Sequence, residues 1–295
     1  MGQTTMVANQ AIGAGFTKKT QIIDAIRADL SCNRLTLPAL PEVVVKMRKT
    51  VDDPAASAAQ MAKAISAEPA IATRLLQVAN AALYRSRTRV DSIQGAIARL
   101  GLKMVRNLVC TLVMEQLYKV RTSEKIRQMQ ISIWRHSVSV AALSSVLAAR
   151  FTSLGKDEAM LGGLVHDIGK LPILARAATI PELGNDDELL QAVLDDMHGE
   201  VGKLVLETWH FPESLVRCVA RHEQYDDIAS PEIDICDVVT LANLCSHPLA
   251  VRERMIADFD RLPVLEKLEL DAATLIGLIN EAQPEIHEIE QLLIR

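Results

Sequence analysis

An all-α fold, a multi-helix bundle, is predicted by three features of this chain. Its 295 residues are 49% hydrophobic but only 3% aromatic, with Leu, Ala, Ile and Val supplying most of the apolar content. Sheet-rich folds draw on aromatic and β-branched residues in alternation, and no sustained apolar–polar alternation occurs. Instead, apolar residues recur at helical spacing between proline and glycine punctuation. The length is ample for one or two cores.

The elements follow in order. A flexible tail covers 1–18, and a first helix is expected over 19–30. Leu37-Pro38-Ala39-Leu40-Pro41 forms an extended strap, because a residue before proline is pushed out of the α region, and Pro41 serves as a first helical position. Helices are expected next over 41–51, 57–66, 69–83, 92–100 and 102–120. Glu68-Pro69 marks a helix start, Asp91 or Ser92 caps the helix at 92–100, and Gly101 separates it from the next. Further helices are expected over 124–151, 156–175, 186–197, 198–209 and 212–224. A polar loop over Asp226 to Pro231 precedes the last four, at 232–246, 249–257, 271–281 and 284–294. This order divides into an N-terminal helical bundle over 19–121, a second bundle over 122–246 and a C-terminal helical extension over 247–295.

The chemistry concentrates in Leu161-Gly162-Gly163-Leu164-Val165-His166-Asp167-Ile168-Gly169-Lys170. Neighbouring side chains on a helix point about 100° apart, so His166 and Asp167 can straddle one ion, while Lys170 lies one turn after His166 on the same face. Three other histidines stand about one helix-hairpin away, namely His136, His198 and His222, each within an apolar helical pattern. Histidines and a carboxylate converging from separate helices are how non-haem iron, manganese and zinc sites are built. Asn80 reads more simply as a helix-terminal, hydrogen-bonding amide, and Trp209 as core packing.

A net charge of −5 argues against a dedicated nucleic-acid binder, which needs a concentrated basic face. Arg85, Arg87 and Arg89, with Lys103 and Arg106, form a local basic cluster. It reads either as a solvated loop and helix end or as a docking site for an acidic protein or a nucleotide. Five cysteines, at 32, 110, 218, 236 and 245, have no Cys-x-x-Cys spacing, which disfavours disulfides and zinc ribbons. No secretory leader is visible and no uninterrupted apolar run approaches the ~18 residues of a membrane span, so the expected compartment is the cytosol and no membrane partner is expected.

Further motifs support a family resemblance. They are Leu37-Pro38-Ala39-Leu40-Pro41-Glu42; Glu68-Pro69-Ala70 with Leu75-Leu76 and Ala79-Asn80; Ser92-Ile93 with Ala96-Ile97 and Leu100-Gly101; Trp134-Arg135-His136; and His198-Gly199 with Gly202 and Trp209. With the His166-Asp167 segment, they make the chain, over roughly residues 35 to 245, resemble the HD superfamily and within it the HDOD (HD-related output) domain. The resemblance implies an HD-like bundle with an N-terminal helical subdomain, in which His136, His166, Asp167, His198 and His222 are metal ligands. It also implies that Lys170 contacts phosphate if the site is active, and that most relatives are degenerate hydrolases used as regulatory or scaffold modules.

Two departures bear on activity. Where active HD enzymes carry a closing aspartate, this chain reads Leu241-Ala242-Asn243-Leu244, and an amide brings no negative charge to a metal. The related HD-GYP phosphodiesterases carry paired histidines and Gly-Tyr-Pro. Here Arg221-His222-Glu223 stands at the pair, and Gly-Tyr-Pro is missing. Near a metal, the Arg221 guanidinium would repel the cation or grip an anion. The expectation is a non-catalytic signalling module acting through a protein partner, with a nucleotide as a possible ligand. Its cofactor is either none or a weakly bound divalent metal (Fe, Mn, Zn, Mg or Ni). The alternative is a metal-dependent phosphohydrolase acting on a nucleotide or cyclic dinucleotide.

Overall fold

The computed structural model describes residues 18–32, 34–48, 54–81, 84, 89–119, 122–225, 232–247 and 262–294. These residues form helices and connecting turns with no strand among them. The expected tail over 1–18 lies almost wholly outside the described residues, as do the Asp226–Pro231 loop, the helix over 249–257, and Arg85 and Arg87.

Helix α1 covers 18–31. Then come α2 (Glu42–Arg48), α3 (Pro54–Ser66), α4 (Pro69–Ala79), α5 (Ile93–Leu100) and α6 (Leu102–Met114). Pro69 begins α4, and the Ser92 side chain accepts a hydrogen bond from the Gly95 amide to cap α5. The helix expected over 102–120 tightens after Met114 into a 3-10 turn, Glu115–Tyr118. Asn80 behaves as the sequence suggests: its amide nitrogen donates to the carbonyls of Leu76 (2.7 Å) and Val90 (2.8 Å), and its oxygen accepts from the Val90 amide.

The long α7 (Glu124–Phe151) matches its expected limits, capped by Ser123. It is followed by α8 (Lys156–Val165), α9 (Lys170–Ala177), the short α10 (Pro181–Gly184), α11 (Asp187–Thr208), α12 (Glu213–Arg221) and α13 (Ile235–Ser246). A capping box between Asp234 and Asp237 sets the start of α13 at Ile235 rather than 232. The remaining helices are α14 (Pro263–Leu268), α15 (Ala272–Glu281) and α16 (Gln283–Ile294). The sequence reading did not anticipate α10 or α14, and in both a proline opens a helix of a turn or two.

Two larger corrections concern the helices that carry ligands. The single helix expected over 156–175 is divided by a turn over 166–169. Pro172 has no N–H to give the Ile168 carbonyl and its ring crowds that carbonyl, so a continuous helix is disfavoured there. The chain tightens instead, with Ile168 donating to Val165 O and Lys170 to Asp167 O. Conversely, the two helices expected over 186–197 and 198–209 are one. Burial of Met197, His198, Val201 and Gly202 on one side holds α11 continuous through Gly199.

One apolar core joins α2–α8, α11–α13 and α14–α16, running from Val43 to Leu293. A second cluster lies on the far side of α9–α11, where Ile23 and Ile26 of α1 meet Leu174, Leu190, Leu194 and Met197. Thus α1, grouped by sequence with the N-terminal bundle, docks on the second bundle, where Lys19 pairs with Asp196 (2.7 Å) and Arg176 with Asp29 (3.1 Å). The Leu-Pro strap is tied to the same half: the Trp209 indole donates to the Pro38 carbonyl at 3.0 Å. By length and composition α7 could cross a membrane, but 67% of its apolar window is buried, as befits a central core helix.

Candidate metal centre

Four helices deliver the ligand atoms. His136 projects from the middle of α7, His166 and Asp167 sit where α8 ends, His198 lies within α11, and His222 follows the last residue of α12. Glycines let these helices approach. A methyl group on Gly163 would stand 2.8 Å from the Ala141 Cα and the Val140 carbonyl of α7, and one on Gly169 only 2.0 Å from the His198 carbonyl of α11. Side chains larger than hydrogen are therefore excluded where α7 meets α8 and where the Asp167 turn meets α11.

The hydrogen bonds fix the proton on each ring. Nδ1 of His166 donates to Gly163 O (2.7 Å), Nδ1 of His198 to Leu194 O (2.8 Å) and Nδ1 of His222 to Val219 O (3.0 Å). A carbonyl only accepts, so Nδ1 carries the hydrogen and Nε2 of the neutral ring is a bare lone pair. His136 Nδ1 faces the Ser246 hydroxyl at 3.4 Å; that hydroxyl donates to Asn243 O (2.7 Å) and so is free to accept from the ring. All four Nε2 atoms converge: His136 and His166 are 3.2 Å apart, and so are His198 and His222.

Asp167 lies between these pairs. Its Oδ2 is 3.4 Å from His166 Nε2 and 3.8 Å from His136 Nε2, whereas Oδ1 is 3.6 Å from His198 Nε2 and 3.8 Å from His222 Nε2. Lys170, brought over Asp167 by the tight turn, pairs with Oδ2 at 2.7 Å. Oδ1 is buried without a hydrogen-bond partner. The result is two three-residue groups sharing one carboxylate, His136–His166–Asp167 and Asp167–His198–His222.

Burial and then the neighbouring His166 ring push His136 down to about 4, and the same two causes hold His222 well below its usual value. Burial would raise the Asp167 carboxyl, but the His166 ring and the Lys170 ammonium outweigh it and keep the group well below the normal carboxylate range. Imidazole lone pairs aimed at an ionised, half-satisfied carboxylate repel it unless a proton or a metal cation lies among them. Ring N–H groups anchored on backbone carbonyls are also the usual support of metal-binding histidines. The residues present fit a divalent metal.

Not every expected residue joins the site. Arg221 turns away: its Nε donates to Gln224 Oε1 at 3.0 Å, and it lines a small cavity with Arg217, Asp234, Cys236 and Lys267. Asn243 is buried on the same face of α13 as Ser246, with its amide oxygen lacking a hydrogen-bond partner. Arg89 is exposed. Lys103 pairs with Glu158 (2.7 Å), and Lys103 and Arg106 edge a cleft of about 430 Å³ floored by Leu161 and Leu215 and walled by Phe211.

Three neighbours escaped the sequence reading. Glu223 Oε1 is 3.7 Å from His198 Nε2, Ser246 touches His136, and the His247 ring stacks 6.1 Å from that of His136. Only Glu223 left a signal, by directly following His222.

The HDOD domain model matches residues 37–225. The chain belongs to the HDOD family. A solved structure of a presumed metal-dependent phosphohydrolase from Shewanella amazonensis SB2B is 28% identical and has a TM-score of 0.77, with 94% of this HDOD chain and 99% of that one covered. An HDOD domain protein of unknown function from Geobacter sulfurreducens shares the fold at 19% identity and a TM-score of 0.65, with coverage of 88% and 92%. An uncharacterized protein of Treponema pallidum (strain Nichols) is 20% identical over 259 residues, 81% of this chain and 49% of that protein. The HDOD chain thus spans about half the length of that curated relative.

Proposed function

We propose that this protein is a regulatory HDOD module whose inherited site holds a divalent metal as a structural or sensing element, and that it acts through protein contacts rather than hydrolysis. The observation carrying this reading is the Lys170–Asp167 pair inside the closed ring of histidines. In catalytic relatives the matching lysine is expected on a phosphate. Here it is 16% exposed and bound to the carboxylate that all four histidines approach. The side chains of His166, Asp167, His198 and His222 are at most 3% exposed, which leaves His136, at 29%, as the one ligand open to solvent.

A bound metal would supply Lewis acidity and positive charge. Around it, His136, His166, His198 and His222 would offer nitrogen and Asp167 oxygen, while the Lys170 ammonium pairs with Asp167. With Asn243 in place of an aspartate, the charge compensating a cation is small, so retention is expected to be weak or partial. For the partner, the cleft edged by Lys103 and Arg106 lies between the N-terminal bundle and the second bundle, and we assign it to an acidic protein surface.

The test is hydrolysis of cyclic dinucleotides, nucleoside monophosphates and a generic phosphodiester with manganese or ferrous iron. Unmodified protein should match a control carrying His166→Ala and Asp167→Ala. The second reading, a metal-dependent phosphohydrolase, draws support from the complete nitrogen donor set and from the 28% identity to the Shewanella protein. Robust turnover that the double variant lacks would establish it.

A further inference from the structure

The cleft between the two bundles is built from one face of α6 set against α8 and the turn from α11 to α12. Lys103, Asn107 and Cys110 recur at i, i+4 and i+7, so they share a face of α6, and Arg106 stands beside them at the rim. Leu161 and Leu215, both buried, form the floor, and Phe211 is a partly exposed wall. The buried Asn107 amide is turned to Asp157, to which it donates at 2.7 Å. At about 430 Å³ the space falls within the range of roughly 300–1,000 Å³ typical of ligand-binding clefts. The interior therefore suits an apolar group, and discrimination falls to the rim.

Of the charged side chains at that rim, Lys103 and Glu158 cancel. They pair at 2.7 Å through one carboxylate oxygen, and the other oxygen of Glu158 accepts from the Ser214 hydroxyl at 3.2 Å. Arg106 is left over: it is partly exposed, and among the described residues no carboxylate pairs with it. A guanidinium at the mouth of an apolar cleft anchors a carboxylate directionally, through two parallel N–H···O bonds, and the attraction strengthens as water is displaced. An arginine beside an aromatic wall and an apolar floor is also the composition that contributes most at protein interfaces.

Resting on the reading that the protein acts through protein contacts, we propose that the cleft receives one segment of an acidic protein partner, carrying an apolar side chain with a carboxylate next to it. The apolar side chain packs on Leu161, Leu215 and Phe211, and the carboxylate pairs with Arg106. Glu158 is a built-in competitor. By holding Lys103 it keeps the second cation of the rim from the partner's acidic groups, and so holds affinity below what two free cations would give.

The probe is a short capped peptide with a Leu-Phe pair between glutamates; its controls carry lysines in place of the glutamates, or serines in place of Leu-Phe. Calorimetry on the full-length protein gives the affinity, and the fluorescence of Trp209, whose ring lies 6.0 Å from that of Phe211, reports occupancy of the cleft. The acidic Leu-Phe peptide should bind about tenfold or more tightly than either control, and Arg106→Glu should weaken it on the order of tenfold and favour the lysine peptide. Glu158→Gln keeps an oxygen for Ser214 but releases Lys103, and should tighten the same peptide several-fold, a gain that a misfolded variant cannot imitate. Equal affinity for the three peptides, undiminished binding in Arg106→Glu, or unchanged or weaker binding in Glu158→Gln overturns the assignment. Neither metal nor turnover enters these measurements, so the cleft assignment can fail while the regulatory reading stands. That reading falls on robust hydrolysis that the His166→Ala, Asp167→Ala variant lacks.

Discussion

The helices from α2 to α6 and those from α7 to α13 belong to one core but bury polar groups in different measure. Among the described residues, the buried polar side chains of the first set are Asn107 and Thr111, and both are bonded: Asn107 donates to Asp157 at 2.7 Å and Thr111 to the Asn107 carbonyl at 2.9 Å; the unpartnered buried atom in these helices is Nε of Arg74, whose other guanidinium nitrogens are bonded. The second set buries Ser145, Asp157, Thr240, His166, Asp167, His198, His222, Ser137, Ser144, Gln130 and Asn243, and oxygens of the last four and of Asp167 have no hydrogen-bond partner. Each such group costs about 1–3 kcal/mol when left unsatisfied. A fold tolerates that burden where it serves a ligand, so the comparison separates a scaffold from a site within a continuous core.

The largest effect should come from the helix crossing that assembles the polar core. Gly169→Ala places a methyl group against the His198 carbonyl and the Gly202 amide, and should destabilise the fold by roughly 3 kcal/mol or more, with loss of metal binding. Denaturant titration checks it; a variant with native stability would mean that the α9–α11 approach is not what gathers the ligands. In the scaffold half, Leu75→Ala removes a side chain with no exposed surface and should cost about 2–5 kcal/mol. Metal affinity of the folded fraction should stay the same, and a parallel fall would erase the distinction between the two regions.

Acid sensitivity gives the smallest and most selective test. His136 and His222 are held neutral in the folded chain, with His136 lowered to about 4, so the unfolded chain takes up protons first as pH falls. Metal-free protein should therefore lose stability from about pH 6.5 downward, by about 1.4 kcal/mol per pH unit for each histidine, until the folded values are reached. Asp167, depressed in the fold, adds a further loss below its ordinary range near pH 4. Urea titrations between pH 7 and pH 4 would show the slope. A flat profile would mean that the histidines are not buried as neutral rings, and His136→Phe should reduce the slope.

Much of this was legible in the chain. The limits of α7, the separation of α5 from α6 and the convergence of His136, His166, Asp167, His198 and His222 follow from local periodicity, capping residues and spacing. What escaped depends on contacts between elements. The turn over 166–169 needed the clash of Pro172 with Ile168 to be weighed against a strongly apolar run. The continuity of α11 through Gly199 came from packing that overrides glycine's poor helix propensity. Arg221 and His222 are adjacent in sequence, yet about 100° of helix rotation sends one side chain to Gln224 and the other to the ligand cluster. Glu223 lies in the turn beyond α12, and its approach to His198 of α11 leaves no periodic trace.

Helix α7 has a mechanical consequence. At 28 residues it is about 42 Å long. Near one end Lys125 reaches the Gly184 carbonyl at 2.6 Å, and near the other Arg150 meets Glu285 of α16 at 3.1 Å. His136 stands close to its middle. A tilt of roughly 5° about that residue would carry either end about 2 Å, by the helix's rise per residue alone. The one rod therefore ties the His136 ring, at the edge of the ligand cluster, to α10 at one end and to α16 at the other.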